Sequence, residues 1–123
     1  MYVPAQSEKD PYKIVLGIRS IAQRILNVPG PNTQTAAYTV IDKDISLIFN
    51  GGASITVTLP TPGSYTGRRL RLKTIAAFTV ISASGNVVPM AGGAAGTAIL
   101  AATAGKWADI ESDGTNWIIM AAN

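Results

Sequence analysis

A mainly β protein, an antiparallel sandwich of jelly-roll type preceded by one N-terminal helix that forms a short trimeric bundle, is the fold the sequence predicts. Three observations predict it. Residues 11–27 place isoleucines at helical spacing between a start and a stop signal. From residue 37 onward the apolar period changes to two. Between the alternating runs lie Asn50-Gly51-Gly52, Pro60-Thr61-Pro62-Gly63, Ser84-Gly85-Asn86 and Asp113-Gly114, all competent to turn a chain.

The chain divides by composition into residues 1–10, polar and without period; 11–27, the helix; 28–36, a Pro/Gly linker; and 37–123, the β-domain. Asp10 suits an N-cap, and Pro11 falls at the first helical position, where a missing N–H costs nothing. Pro29 and Gly30 forbid continuation. Ile14, Ile18, Ile21 and Ile25 recur at four, three and four, an a/d seam, with Lys13, Arg19, Gln23 and Arg24 away from it. Isoleucine at both seam positions favours three or more helices over two, so a homotrimer is expected. The same face could instead pack on the chain's own β-domain. Gly17 weakens the helix by about 1 kcal/mol relative to alanine.

In the β-domain the expected strands are 37–41, 45–49, 54–59, 68–73, 78–83, 97–102, 106–111 and 116–121, with 86–88 as a ninth. Alternation is cleanest in the third, where Ile55, Val57 and Leu59 share one face and Ser54, Thr56 and Thr58 the other. Short strands at this spacing read as a sandwich or jelly roll.

Composition narrows the chemistry. The 123 residues include no Cys and no His, which removes disulfides, thiol nucleophiles, Cys/His zinc sites and imidazole general bases. Charged residues make up 14% against an ordinary share of about 25%, so much of the surface is uncharged or covered by something else. A net charge of +3 is too mild to point to nucleic acid. No basic and apolar leader opens the chain, so secretion is not expected and assembly in the cytoplasm is. From Thr74 to Gly105 there is no charge, but Gly85, Pro89, Gly92, Gly93 and Gly96 interrupt the stretch, and no membrane span is expected.

Each candidate for chemistry has a plainer reading beside it. Asp109-Ile110-Glu111-Ser112-Asp113-Gly114 opens like a calcium loop, yet its twelfth position is Met120 and not a bidentate Glu. Asp42 with Asp44, or Asp109 with Glu111, could pair as glycosidase carboxylates, but acids flanking strands are commonly turn formers, and so small a domain leaves little room for a sugar cleft. Gly92-Gly93-Ala94-Ala95-Gly96 fits no phosphate-binding pattern. No catalytic, cofactor or metal residue is assigned. Arg69, Arg71 and Lys73 line one face of one strand, either to meet a polyanion or to guard a sheet edge against aggregation. Trp107 and Trp117 could stack on sugars if exposed, with core packing the plainer reading for Trp117.

The run Tyr38-Thr39-Val40, Asp44-Ile45, Asn50-Gly51, Ile55-Thr56-Val57-Thr58-Leu59-Pro60, Gly67-Arg68-Arg69-Leu70-Arg71-Leu72-Lys73, Val80-Ile81 and Ser112-Asp113-Gly114-Thr115-Asn116-Trp117 resembles the small β-modules of tailed-bacteriophage fibres, spikes and decoration proteins. The opening, with Tyr2, Val3, Pro4 and Gln6, is similar to the short anchors by which such proteins seat on a virion. The resemblance implies a trimeric, non-enzymatic β-projection on a virion, without cofactor, whose partners are capsid, portal or neck, or tail proteins. The chain lacks the repetitive stalk and receptor tip of long fibres, which points to a short head fibre, a decoration protein or a small tail adaptor. A carbohydrate-binding adhesin module contacting host glycans is the alternative.

Overall fold

The structure, a computed structural model, describes residues 30–123. The expected helix, its isoleucine seam and the anchor residues Tyr2, Val3, Pro4 and Gln6 lie outside the described residues.

Among the described residues ten short strands follow one another: β1 (Asn32–Gln34), β2 (Tyr38–Thr39), β3 (Ser46–Phe49), β4 (Ile55–Thr58), β5 (Arg69–Thr74), β6 (Val80–Ser82), β7 (Val87–Val88), β8 (Ala98–Leu100), β9 (Trp107–Ser112) and β10 (Trp117–Ala122). A 3-10 turn, Pro62–Ser64, interrupts the passage from β4 to β5. The chain is mainly β, as expected. All nine of the anticipated strands form within a residue or two of their expected limits.

The pairing differs from expectation. The strands form a six-stranded sheet in the order β1-β3-β5-β9-β10-β7 and a four-stranded sheet in the order β2-β4-β6-β8. Both are mixed, because β1–β3, β3–β5, β2–β4, β4–β6 and β7–β10 run parallel and only β5–β9, β9–β10 and β6–β8 run antiparallel. A wholly antiparallel jelly roll is therefore not the arrangement. From β1 to β6 the chain alternates between sheets, so β1–β2, β3–β4 and β5–β6 form three rungs laid one on another. Asn50-Gly51-Gly52 carries the chain across from one sheet to the other instead of closing a hairpin. Parallel neighbours need a long crossover between them, and here the strand in the other sheet supplies it.

Stacking the rungs brings like positions together. In the large sheet Asn32, Leu47 and Leu72 are aligned in register, as are Gln34, Phe49 and Thr74. In the small sheet Ile55 sits beside Val80, and Val57 lies between Tyr38 and Ser82. Ile55, Val57 and Leu59 face inward as the alternation predicts, and they join Leu47, Phe49, Leu70, Leu72, Ile110 and Trp117 in one buried cluster drawn from both sheets. Complete burial of each large aliphatic side chain stabilises the fold by about 1.5–3 kcal/mol.

β1 is the strand that the sequence does not announce. It falls in the stretch read as linker and pairs with β3 through Asn32, Thr33 and Gln34. Its inward positions are polar and half-buried, so hydrophobic alternation gives no sign of it.

The β9–β10 hairpin turns at Asp113-Gly114, where Asp113 Oδ1 accepts from the backbone N–H of Thr115 (2.9 Å) and Asn116 (2.7 Å). The Asn116 and Thr115 bonds hold the Asp113 carboxyl below its ordinary value. Gly114 has φ +96°, and a Cβ there would lie 3.0 Å from Thr66 Oγ1. Gly114→Ala is accordingly expected to cost about 1–2 kcal/mol of stability, read from the urea midpoint. Gly52→Ala, facing open space, should leave that midpoint unchanged.

Candidate functional site

Two polar constellations stand out, one at the first rung and one on the outer face of the large sheet.

At the first rung, the residues that close the open end of the stack are tied to Asp44, which is only 7% exposed. Tyr38 donates its hydroxyl to Asp44 Oδ2 at 2.6 Å, the Ile41 N–H donates to the same oxygen at 2.9 Å, and Asn32 Nδ2 donates to Oδ1 at 3.0 Å. Asn32 Nδ2 also reaches the Tyr38 hydroxyl at 2.7 Å, and Gln34 Nε2 donates to Asn32 Oδ1 at 2.8 Å. Arg68 closes over the loop from outside, its Nη2 donating to the carbonyls of Ile41 (2.7 Å) and Asp44 (2.9 Å). Its guanidinium lies 5.3 Å from the centroid of the Tyr65 ring, and the Tyr65 hydroxyl donates to Asp42 Oδ1 at 2.7 Å.

Burial alone would push the Asp44 carboxyl up. The Tyr38, Ile41 and Asn32 hydrogen bonds and the Arg68 charge outweigh it, and the net position is below the ordinary carboxylate value. The reciprocal effect holds Tyr38 above its usual value, chiefly through its bond to Asp44. A carboxylate so fully occupied cannot serve as a general base at neutral pH. Asp42 and Asp44, one of the candidate acid pairs, act here as fasteners of the 41–45 loop.

The outer face of the large sheet carries the cationic row. Arg69, Arg71 and Lys73 project outward from β5, alternating with buried Leu70 and Leu72. β5 lies between β3 and β9 and is not an edge strand, so these charges do not guard an edge. They answer acids on β9 instead: Arg69 Nε lies 3.0 Å from Glu111 Oε1, and Arg71 grips Asp109 at 2.9 Å through Nε and 3.3 Å through Nη2. The bond to Asp109 raises the Arg71 pKa further. The other candidate acid pair is thus bound by arginines. Both ion pairs are solvent-exposed, where screening leaves such contacts little net worth.

Lys73 stands apart. Its cross-strand partner is Trp107, and it has no ion pair among the described residues. Trp107 is partly exposed, with its backbone N–H donating to Asn123 Oδ1 at 3.0 Å. Trp117, the second candidate for stacking, is fully buried and donates Nε1 to the Pro60 carbonyl at 2.9 Å. The even spacing of Trp117 and Ile119 turns both into the core, so Trp117 has no face to offer a sugar.

Beside the ion pairs runs a groove of about 420 Å³, floored by Leu70 and Ile110 and rimmed by Ile45 and Met120. Ile45 is 51% and Met120 60% exposed. Met120 sits at a register shift between Ile119 and Ala121, and this bulge leaves it without a cross-strand partner. Among the described residues no cluster of three or more acids has the arrangement to hold a metal ion, and no helix is long and apolar enough to cross a membrane.

Sequence reasoning singled out the cations, the acids and Trp107, and the register of β5 with β9 is what joins them. It missed the Asn32–Tyr38–Asp44–Arg68 network, whose members are spread from β1 to the residue before β5 and carry no local motif. Compared with known protein families, curated proteins and solved structures, the chain has no match.

Proposed function

We propose that the chain is a non-enzymatic structural protein of a bacteriophage virion, a short trimeric head fibre, capsid decoration or small tail adaptor anchored by its N-terminal segment and assembled in the host cytoplasm. The observation that carries this reading is a stack of rungs in parallel register that leaves large apolar side chains outside. Ile41, Ile45, Ile75, Phe78, Met90 and Met120 are each 39–60% exposed. Ile45 and Met120 stand together on the rim of one groove, and on a domain with so few charges an apolar patch left in water favours an assembly subunit whose neighbours cover it. Parallel register supports a projecting role, since each rung rests on the one before and the chain enters at the first.

Division of labour follows. Residues 1–10, with Tyr2, Val3, Pro4 and Gln6, dock on the particle; Ile14, Ile18, Ile21 and Ile25 form the trimer seam; the β-domain projects. Three weak anchors on one trimer bind a symmetric particle far more tightly than one, provided that all three engage together.

Particles assembled from the genome that encodes this chain provide the test. The full-length protein should co-sediment with them, and deletion of residues 2–10 should leave the protein folded but in the unbound fraction. Co-sedimentation that survives the deletion would remove the anchor from the proposal, and absence of the full-length protein from particles would overturn the virion reading.

A further inference from the structure

We propose that the outer face of the large sheet holds a binding subsite for an acidic saccharide, built from Trp107 and Lys73, which face each other across β9 and β5. The inference stands independently of the virion reading.

Register creates the subsite. Thr33, Ile48, Lys73 and Trp107 are successive cross-strand partners on β1, β3, β5 and β9. The flanking residues Leu47, Phe49, Leu72, Thr74 and Ala108 are buried, so this row points away from the core. The side chain of Asn123, which receives the Trp107 N–H, closes its far end. The result is an outward-facing strip on which a cation stands between an indole and an aliphatic side chain, at strand spacings of about 4.8 Å, close to the width of a pyranose ring. A sugar ring presents C–H groups to an indole face, and a carboxylate on that ring then lies within reach of the Lys73 ammonium.

Lys73 is suited to the role because its neighbours are spoken for. Arg69 and Arg71 are neutralised by Glu111 and Asp109, whereas Lys73 has no carboxylate within ion-pair distance among the described residues. The ion pairs also discriminate among polyanions. Asp109 and Glu111 keep acceptor oxygens for sugar hydroxyls, and with both arginines paired the face carries one net positive charge, a match for one carboxylate and too little to hold a run of phosphates. A single aromatic platform likewise suits a sugar better than a run of stacked bases, which calls for several.

The full-length protein is titrated with a galacturonate oligomer, with a neutral cellulose oligomer of equal length and with an oligothymidylate, at low and high salt. Because Trp117 is sealed in the core, a change in tryptophan fluorescence on binding reports Trp107. Saturable binding of the galacturonate oligomer is expected, weakening with salt and exceeding the neutral oligomer by about tenfold. Trp107→Ala should weaken it by about tenfold or more, Trp107→Phe should retain most of it, and Lys73→Met should bring the acidic oligomer down to the neutral one. Urea midpoints of the variants identify any that fail to fold, and Lys73→Met, at an exposed position, keeps the test valid in that event. No saturable binding of the galacturonate oligomer, equal binding of the neutral oligomer, indifference to Lys73→Met, or tighter binding of oligothymidylate would each overturn the proposal.

Discussion

Trp117→Ala is expected to destabilise the β-domain by about 4 kcal/mol, the largest effect of any single substitution considered. Trp117 is the largest side chain with no exposed surface, and its backbone pairs with Val87 on one side and Ser112 on the other. Truncation leaves a cavity between the sheets. It also strands the half-buried Pro60 carbonyl, whose partner is the indole N–H at 2.9 Å, and an acceptor left unpaired adds a penalty of its own. Trp117→Phe retains much of the volume but not the donor, and should cost about 2 kcal/mol. Urea denaturation at one fixed protein concentration measures both. Against a total stability of about 5–15 kcal/mol, the loss is a large fraction of what holds the fold.

Asp44→Ala comes next, at about 3 kcal/mol. The substitution removes the acceptor for Tyr38, Asn32 and the Ile41 N–H together and leaves the Arg68 guanidinium over a neutral loop. Tyr38→Phe removes only one of these bonds and should cost about 1 kcal/mol. The network also sets a pH dependence. Since the folded Asp44 carboxyl titrates below its unfolded value, its contribution is complete above the unfolded pKa and fades as pH falls through the folded one. Acidification below about pH 4 should therefore lower the melting temperature, and Asp44→Asn, itself less stable, should lose part of that slope. Tyr38 acts at the opposite end: its raised pKa means that stability is lost as pH climbs through the folded value. Tyr38→Phe should remove that alkaline component.

Much of the fold is legible in the sequence because the core strands alternate. Ile55, Val57 and Leu59 declare their inward face, and so do Leu70 and Leu72 between the cations. What alternation cannot convey is which strand lies beside which, since period two is shared by parallel and antiparallel pairs. Asn50-Gly51-Gly52 has the residues of a hairpin turn, yet it carries the chain between sheets, a choice made by the packing of β3 and β4 on opposite sides of the core. β1 escapes notice for a different reason: Asn32 and Gln34 fill the inward positions of a terminal rung, where hydrogen bonds to Tyr38 and Asp44 replace apolar contact.

The outer face follows the same division. Arg69, Arg71, Lys73, Asp109, Glu111 and Trp107 each attract attention from sequence, as cations on one face, acids near a turn and an aromatic. Only the β5–β9 register turns them into two ion pairs and one lysine left opposite a tryptophan. The core position of Trp117 follows from its place in an apolar run, although the bond to Pro60 could not be read from it.

The trimeric projection is the centre of this account, and the solution mass of the full-length chain tests it most directly. Light scattering should give about 38 kDa, three chains of 12.8 kDa each. A chain starting at Gly30 keeps β1 and the whole stack, so a lower mass for it would place trimerisation in the isoleucine seam. A soluble, monodisperse full-length monomer of 12.8 kDa would contradict the account.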